Sequence, residues 1–313
     1  MDSSTPTSPS KFTASASSPD HKAGFQVPIH SLALRFLICL GWFFGAMKAK
    51  TYAADGLSPI SAAGIAEIYS RAENGSAADQ YVLGTMFTTG VGLKMNPVEG
   101  MRWFYKAAEQ GDALAQHMLG LIYDTGKVVQ KNDLEAVKWY SKAAEQGCAA
   151  AMNYLALHYE NGEGIEKNGL FALQLFKKAA DQGDANALYN LALKYLNGTG
   201  VPMDKNEGLK CMAMSANGGQ AQAQCELGLV LISGRSDSSP QGYNLLRKPA
   251  EGYKWLLLSA QQGNADARKS ITIVKDKWVD ADQQAEGLRL AREFEQFFKK
   301  NQAATEYARR KAQ

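Results

Sequence analysis

The chain has 313 residues, 45% of them hydrophobic, enough to bury a sizeable core. Its formal charge of +3 misleads, because five of the 34 Lys and Arg but only two of the 31 Asp and Glu lie in the first 53 residues, leaving 29 of each sign beyond them. So even a balance lacks the broad basic surface that phosphate neutralisation requires, and a nucleic-acid partner is excluded.

The first thirty residues are rich in Ser, Thr and Pro and poor in large apolar groups, the composition of a disordered segment. Arg35 then precedes twelve apolar or small residues, Phe36 to Met47 (FLICLGWFFGAM), followed by Lys48 and Lys50. A membrane-spanning helix needs about 20 apolar residues and a secretory h-region about 7 to 15, so this run reads as a signal peptide. Small residues at Thr51 and Ala53 place the cut after Ala53. Two alternatives stay open: an uncleaved inner-membrane anchor, or a true start at Met47, which alone would leave the protein cytosolic. The predicted location is the bacterial periplasm or the exterior, with membrane anchoring as the alternative.

Beyond a degenerate half unit in residues 54–75, a 36-residue unit recurs without a gap in residues 76–111, 112–147, 148–183 and 184–219, and a longer fifth copy covers 220–263. A fixed period of this size marks a repeat architecture, in which each unit buries its apolar face only against its neighbours. Each unit contains two predicted helices. The first carries a Leu followed by Gly or Ala and then an aromatic: Leu83, Gly84, Phe87; Leu119, Gly120, Tyr123; Leu155, Ala156, Tyr159; Leu191, Ala192, Tyr195. Leu and aromatic four apart share one helix face, and the small residue beside the Leu lets a neighbouring helix approach. Gly90, Gly126, Gly162, Gly198 and Gly234 end these helices. The second helix carries Trp103, Trp139 and Trp255 at one shared position and the pairs Ala107-Ala108, Ala143-Ala144 and Ala179-Ala180, and closes on Gly111, Gly147, Gly183, Gly219 and Gly263.

With LGxxY, GxG and WYxKAAEQG residues in register over about two thirds of the chain, the units resemble Sel1-like repeats, a branch of the helical solenoids related to tetratricopeptide repeats. The resemblance implies an all-α, right-handed superhelical solenoid of antiparallel helix pairs. Cys211 in place of the Trp, and Ser215 and Ser259 in place of an Ala, depart from the pattern. Residues 264–313 read as a degenerate sixth unit, a closing helix and a basic tail, the last a solvated helix end that complements its own dipole.

Candidate chemistry is sparse. His21 and His30 fall in the leader, and His117 and His158 have no Cys or paired carboxylate at ligand spacing, so no metal site is predicted. Cys211 and Cys225 flank the turn at Gly218-Gly219 at similar heights, but helical phase argues against a bridge between them. The only useful S-x-x-K string, Ser8 to Lys11, lies in the leader, and no G-x-S-x-G elbow or phosphate loop occurs. No catalytic residue and no cofactor is expected. Cysteine-rich relatives of this repeat have been linked to penicillin binding and hydrolysis, which leaves a cell-wall or β-lactam hydrolase as the alternative. This chain lacks their regular paired cysteines.

Function is therefore expected in a surface, as a non-catalytic scaffold for a protein partner, with no oligomeric state fixed by the sequence. In solenoids of this kind the first helices line a concave groove. Helical phase puts two columns near its open face: Tyr81, His117, Asn153, Tyr189 and Cys225, and Thr88, Asp124, Glu160, Leu196 and Ile232. Tyr81, His117, Asn153, Glu160 and Tyr189 are the predicted partner contacts in the groove. Tyr243, Leu245 and Leu246, in the insertion of the fifth unit, form a second candidate contact.

Overall fold

A computed structural model describes residues 61–234 and 247–311. Among them are thirteen helices and no strand: α1 (Ala62–Glu73), α2 (Ala77–Thr89), α3 (Pro97–Glu109), α4 (Ala113–Thr125), α5 (Asp133–Glu145), α6 (Ala149–Asn161), α7 (Gly169–Asp181), α8 (Ala185–Asn197), α9 (Lys205–Asn217), α10 (Ala221–Ser233), α11 (Pro249–Gln261), α12 (Ala265–Lys277) and α13 (Ala281–Lys311). The leader and the loop bearing Tyr243, Leu245 and Leu246 lie outside the described residues.

Local chemistry sets the helix ends. At the first helix of every unit but the third a side-chain oxygen accepts from the backbone three residues on, as Asp112 does from Ala115 N at 2.9 Å and Asp184 from Ala187 N at 2.8 Å. Second helices open on Asn96, Asn132, Asn168 or Asp204 in the same way. First helices stop at a glycine in the left-handed region, with φ of 64° at Gly126, where a Cβ would be strained.

Within a unit the two helices pack antiparallel through the small residue beside the leucine. A Cβ on Gly120 would sit 2.5 Å from the Tyr140 ring, so the missing side chain is what lets α4 and α5 touch. Successive units are joined by a buried glutamine. Gln116 Nε2 donates to Ala108 O at 3.1 Å, at the end of the preceding helix, while its Oε1 accepts from Gln146 Nε2 at 2.7 Å. Gln80 and Gln224 repeat both bonds. The glutamine of the A-A-E-Q-G run is thus half of a repeated stitch that satisfies a helix-end carbonyl. The serines that depart from the alanine pattern gain bonds of their own, Ser215 Oγ to Ala185 O and Ser259 Oγ to Ala221 O, each at 2.6 Å.

From α1 to α12 each helix packs against the next in the chain, the connectivity of a right-handed superhelical solenoid. First helices of successive units also touch, α4 with α6, α6 with α8 and α10 with α12, whereas successive second helices of the repeats make no comparable approach among the described residues. The stack closes up on the first-helix side, so the first helices line the inside of the curve.

Both ends differ from the middle. Arg71 of α1 grips the buried Asp79 through Nε at 3.1 Å and Nη2 at 3.0 Å, and Tyr69 covers Phe87 and Trp103 edge-on. At the other end α13 does not pair with α12. It packs on α11, with Phe294 against Trp255 at 5.2 Å and Gly287 close to Tyr253 and the Ala250 carbonyl.

Candidate functional site

On the inner face the first helices carry a partly exposed strip. Leu157, Leu193 and Leu229 lie one repeat apart, the first two half-buried and Leu229 37% exposed, and Tyr154, Asn190 and Glu226 run beside them half-buried. Leu121 continues the leucine line into the buried N-terminal end. Apolar side chains at repeat spacing, bordered by amide, phenol and carboxylate groups, can hold an extended or helical segment of another chain.

The predicted columns lie on the flank of this strip. Tyr81 is 2% exposed and Asn153 3% exposed, so neither faces the groove, which corrects the expectation from phase. His117, Asn153 and Tyr189 lean instead on the first helix of the next unit, whereas Tyr81 packs on Phe104 of its own unit. The His117 ring lies 5.5 Å from the Tyr154 ring, Asn190 Nδ2 donates to Asn153 Oδ1 at 2.9 Å, and the Tyr189 hydroxyl donates to Glu226 Oε1 at 2.7 Å. His117, Tyr189 and Glu160 are half-buried and border the strip. In the second column Leu196 and Ile232 are buried, Lys194 Nζ donates to Glu160 Oε1 at 2.5 Å, and His158 Nε2 lies 3.6 Å from Asp124 Oδ1.

The error is one of rotation. Phase was measured from the Leu and the aromatic, but the buried arc centres on the small residue beside the Leu, where the second helix docks. One position is about 100° on a helix, enough to turn a groove residue into an inter-repeat contact. The missed strip had a sequence signal in Leu121, Leu157, Leu193 and Leu229, which recur at one repeat position four residues after the predicted column.

Titratable groups along the face are tuned by burial and by each other. Burial lowers His117 to about 4, and its Nδ1 is buried without a hydrogen-bond partner among the Tyr140 and Tyr154 rings. Burial also opposes charge on His158, but the Asp124 carboxylate and the Glu163 carbonyl beside it prevail and raise it above its ordinary value. Asp124 is held below its ordinary value, first by the His158 ring and then by its other neighbours, against the effect of burial. Burial, together with the Glu226 carboxylate, pushes the Tyr189 phenol up. Cys148, Cys211 and Cys225 form no disulfide, and burial raises Cys225 to about 11, so it is not a reactive thiolate. No helix among the described residues is long and apolar enough to cross a membrane.

Comparison with known proteins agrees with this architecture. A family model described as Sel1 repeat matches residues 77–112, 113–148, 149–184, 185–220 and 221–264. No curated protein matches the chain by sequence. The fold is similar to that of a Sel1 repeat protein from Oxalobacter formigenes, at 27% identity and a TM-score of 0.57, over 84% of this chain and 99% of that one. It is also similar to c5321, a protective antigen present in uropathogenic Escherichia coli strains displaying an SLR fold, at 28% identity and a TM-score of 0.52. That match covers 84% of this chain and 54% of the other, so the chain spans about half the length of c5321. Matched in five consecutive units over more than half its length, the chain belongs to the Sel1 repeat family, whose fold is typical of protein–protein interaction scaffolds.

Proposed function

We propose that this protein is a non-catalytic adaptor, exported to the bacterial periplasm or envelope, that holds a segment of a protein partner along the inner face of its first helices. The observation that carries this reading is the partly exposed strip of Leu157, Leu193 and Leu229 between polar borders, running across three units on the side toward which the solenoid curves. His117, Glu160 and Tyr189 supply adaptable contacts at its edge, and Tyr243, Leu245 and Leu246 are a second contact in the fifth-unit insertion. Tyr81 and Asn153 act indirectly, Tyr81 in the core of its own unit against Phe104 and Asn153 by its bond to Asn190 of the next unit.

Export is supported by the Phe36 to Met47 run and by the likeness to c5321, a protective antigen. Fractionation of cells making the tagged protein, with sequencing of the mature N-terminus, tests that part. A mature chain beginning near Ala54 is expected, and cytosolic recovery of the intact chain would contradict export. For the binding face, Leu157→Glu with Leu193→Glu puts two charges on the strip. In-cell cross-linking with wild type should recover a recurrent partner that the variant loses while its helicity is unchanged. An identical partner set from both would place binding elsewhere.

A further inference from the structure

The joint between the second and third units gathers four side chains that lie far apart in ligand terms along the sequence. Asp124 comes from the end of α4, Asp133 from the first turn of α5, His158 from α6 and Glu163 from the turn that follows α6. One donor atom each of Asp133, His158 and Glu163 lies within 4.8 Å of the other two, and Asp124 Oδ1 is 3.6 Å from His158 Nε2. Two ligands on one tetrahedral ion stand about 3.3 Å apart at metal–ligand distances near 2.0 Å, so small side-chain rotations close this set on a cation.

The histidine is what separates this cluster from an ordinary acidic patch. Its side chain is only 3% exposed, and its Nδ1 lies 2.8 Å from the Glu163 carbonyl oxygen, which can only accept, so Nδ1 carries the proton. That bond fixes the ring and leaves the Nε2 lone pair aimed at carboxylates, with Asp124 outside hydrogen-bonding reach. A ligating histidine is oriented in this way, with its other nitrogen tied to a carbonyl or carboxylate. Asp133 Oδ1 is likewise buried and accepts no well-directed hydrogen bond, facing only the half-exposed Lys131 ammonium at 3.0 Å. Gly164 lets the two segments meet, since a Cβ there would come 2.4 Å from the Asp133 carbonyl.

Charge favours a divalent ion. With His158 neutral, three carboxylates against Lys131 leave two uncompensated negative charges at the joint. A mixed imidazole and carboxylate set selects zinc-like transition metals over calcium or magnesium, which prefer all-oxygen shells. We propose that His158, Asp133, Glu163 and Asp124 form a binding site for a zinc-like divalent cation that ties the second repeat to the third. Lys131 holds the place of the cation in its absence and swings out when the metal enters. Because the ligands come from both units, the ion stiffens one joint of the inner face without occupying the strip.

Calorimetric titration of the chelator-treated full chain with zinc chloride, with cobalt(II) as an optical probe, tests this. One equivalent is expected to bind, with a visible cobalt band of mixed nitrogen and oxygen coordination. His158→Gln and Asp133→Asn should each weaken zinc at least tenfold and abolish the band, and the remote Glu207→Gln should change neither. Lys131→Met, which leaves every ligand in place, should tighten binding. Binding should weaken as pH falls through the His158 titration, with Asp124, Asp133, Glu163, Lys131 and Tyr140 as the other titratable groups facing the ring. Absence of a one-to-one isotherm, or equal zinc affinity in wild type and His158→Gln, would overturn the proposal. Should His158→Gln fail to fold, a Lys131→Met variant that binds no tighter than wild type would do the same.

Discussion

His158 of the third unit points its Nε2 at Asp124 of the second across 3.6 Å, and one repeat further on Lys194 meets Glu160 across 2.5 Å at the same two positions. The inner face is thus cross-tied between units by polar pairs in its middle, while at the fifth unit the corresponding positions hold the apolar Leu196 and Val230. Only the first of these ties contains a histidine.

That tie gives a pH dependence with a definite sign. His158 is raised in the folded protein above its ordinary 6.5, so its contribution is fully present below 6.5 and is lost as pH rises through the folded value. Asp124 is depressed below 3.8, so its contribution is present above 3.8 and is lost as pH falls through its folded value. The pair is strongest between those limits. In metal-free buffer, urea denaturation should show His158→Gln losing more stability at pH 5.5 than at pH 8.5, and an equal loss at both would contradict the tie.

His117 acts in the opposite direction. Burial holds it at about 4, so stability present above pH 6.5 is lost as pH falls toward that value. His117→Leu should therefore gain on wild type at pH 4.5 relative to pH 8, read from paired denaturation curves. A constant difference would mean that the ring is solvated in solution.

Gly120 has no room for a side chain, with the Tyr140 ring 2.5 Å from the place a Cβ would take. Gly120→Ala should cost about 1–3 kcal/mol through overpacking, although alanine is the better helix former. Thermal melts that show no loss would mean that Tyr140 moves aside freely.

Trp103 buries its ring but leaves Nε1 without an acceptor. An unsatisfied buried donor costs about 1–3 kcal/mol, which offsets much of what the larger ring contributes. Trp103→Phe is expected to be within about 1 kcal/mol of wild type, against about 3–5 kcal/mol lost by Trp103→Ala. Equal losses from both substitutions would show that the indole N–H has a partner.

Helix α6 starts at Cys148, whose side chain makes no cap hydrogen bond, where the second and fourth units have Asp112 and Asp184. Cys148→Asp should add about 0.5–2 kcal/mol by accepting from the Ala151 N–H. A melting temperature that does not rise would show that the thiol's present contacts outweigh the cap.

The repeats were legible in the sequence because each helix end is written in local chemistry, with a capping Asp or Asn at one side and a glycine at the other. The family and the all-helical solenoid follow from those marks. The open face was less legible. It depends on where the second helix docks, and Gly84, Gly120 and Gly228 mark that contact more faithfully than the larger Leu and aromatic beside them. Taking the large residues as the centre of burial puts Tyr81 and Asn153 in the groove, whereas both are buried, Tyr81 against Phe104 of its own unit and Asn153 against Asn190 of the next. The carboxylates around His158 were invisible for a different reason. Ligand spacing along a chain reveals clusters on one element, and these groups come together only when the third unit stacks on the second.

Site-specific photo-cross-linking in cells shows whether a partner lies along the first-helix strip. A photoreactive amino acid would be placed at Leu157, Leu193 or Leu229 on the inner face, or at exposed Gln174 on second helix α7. The expected result is one recurrent protein adduct from the three inner positions and none from Gln174. The same adduct from Gln174, or no adduct from any of the inner positions, would contradict a binding groove on this face.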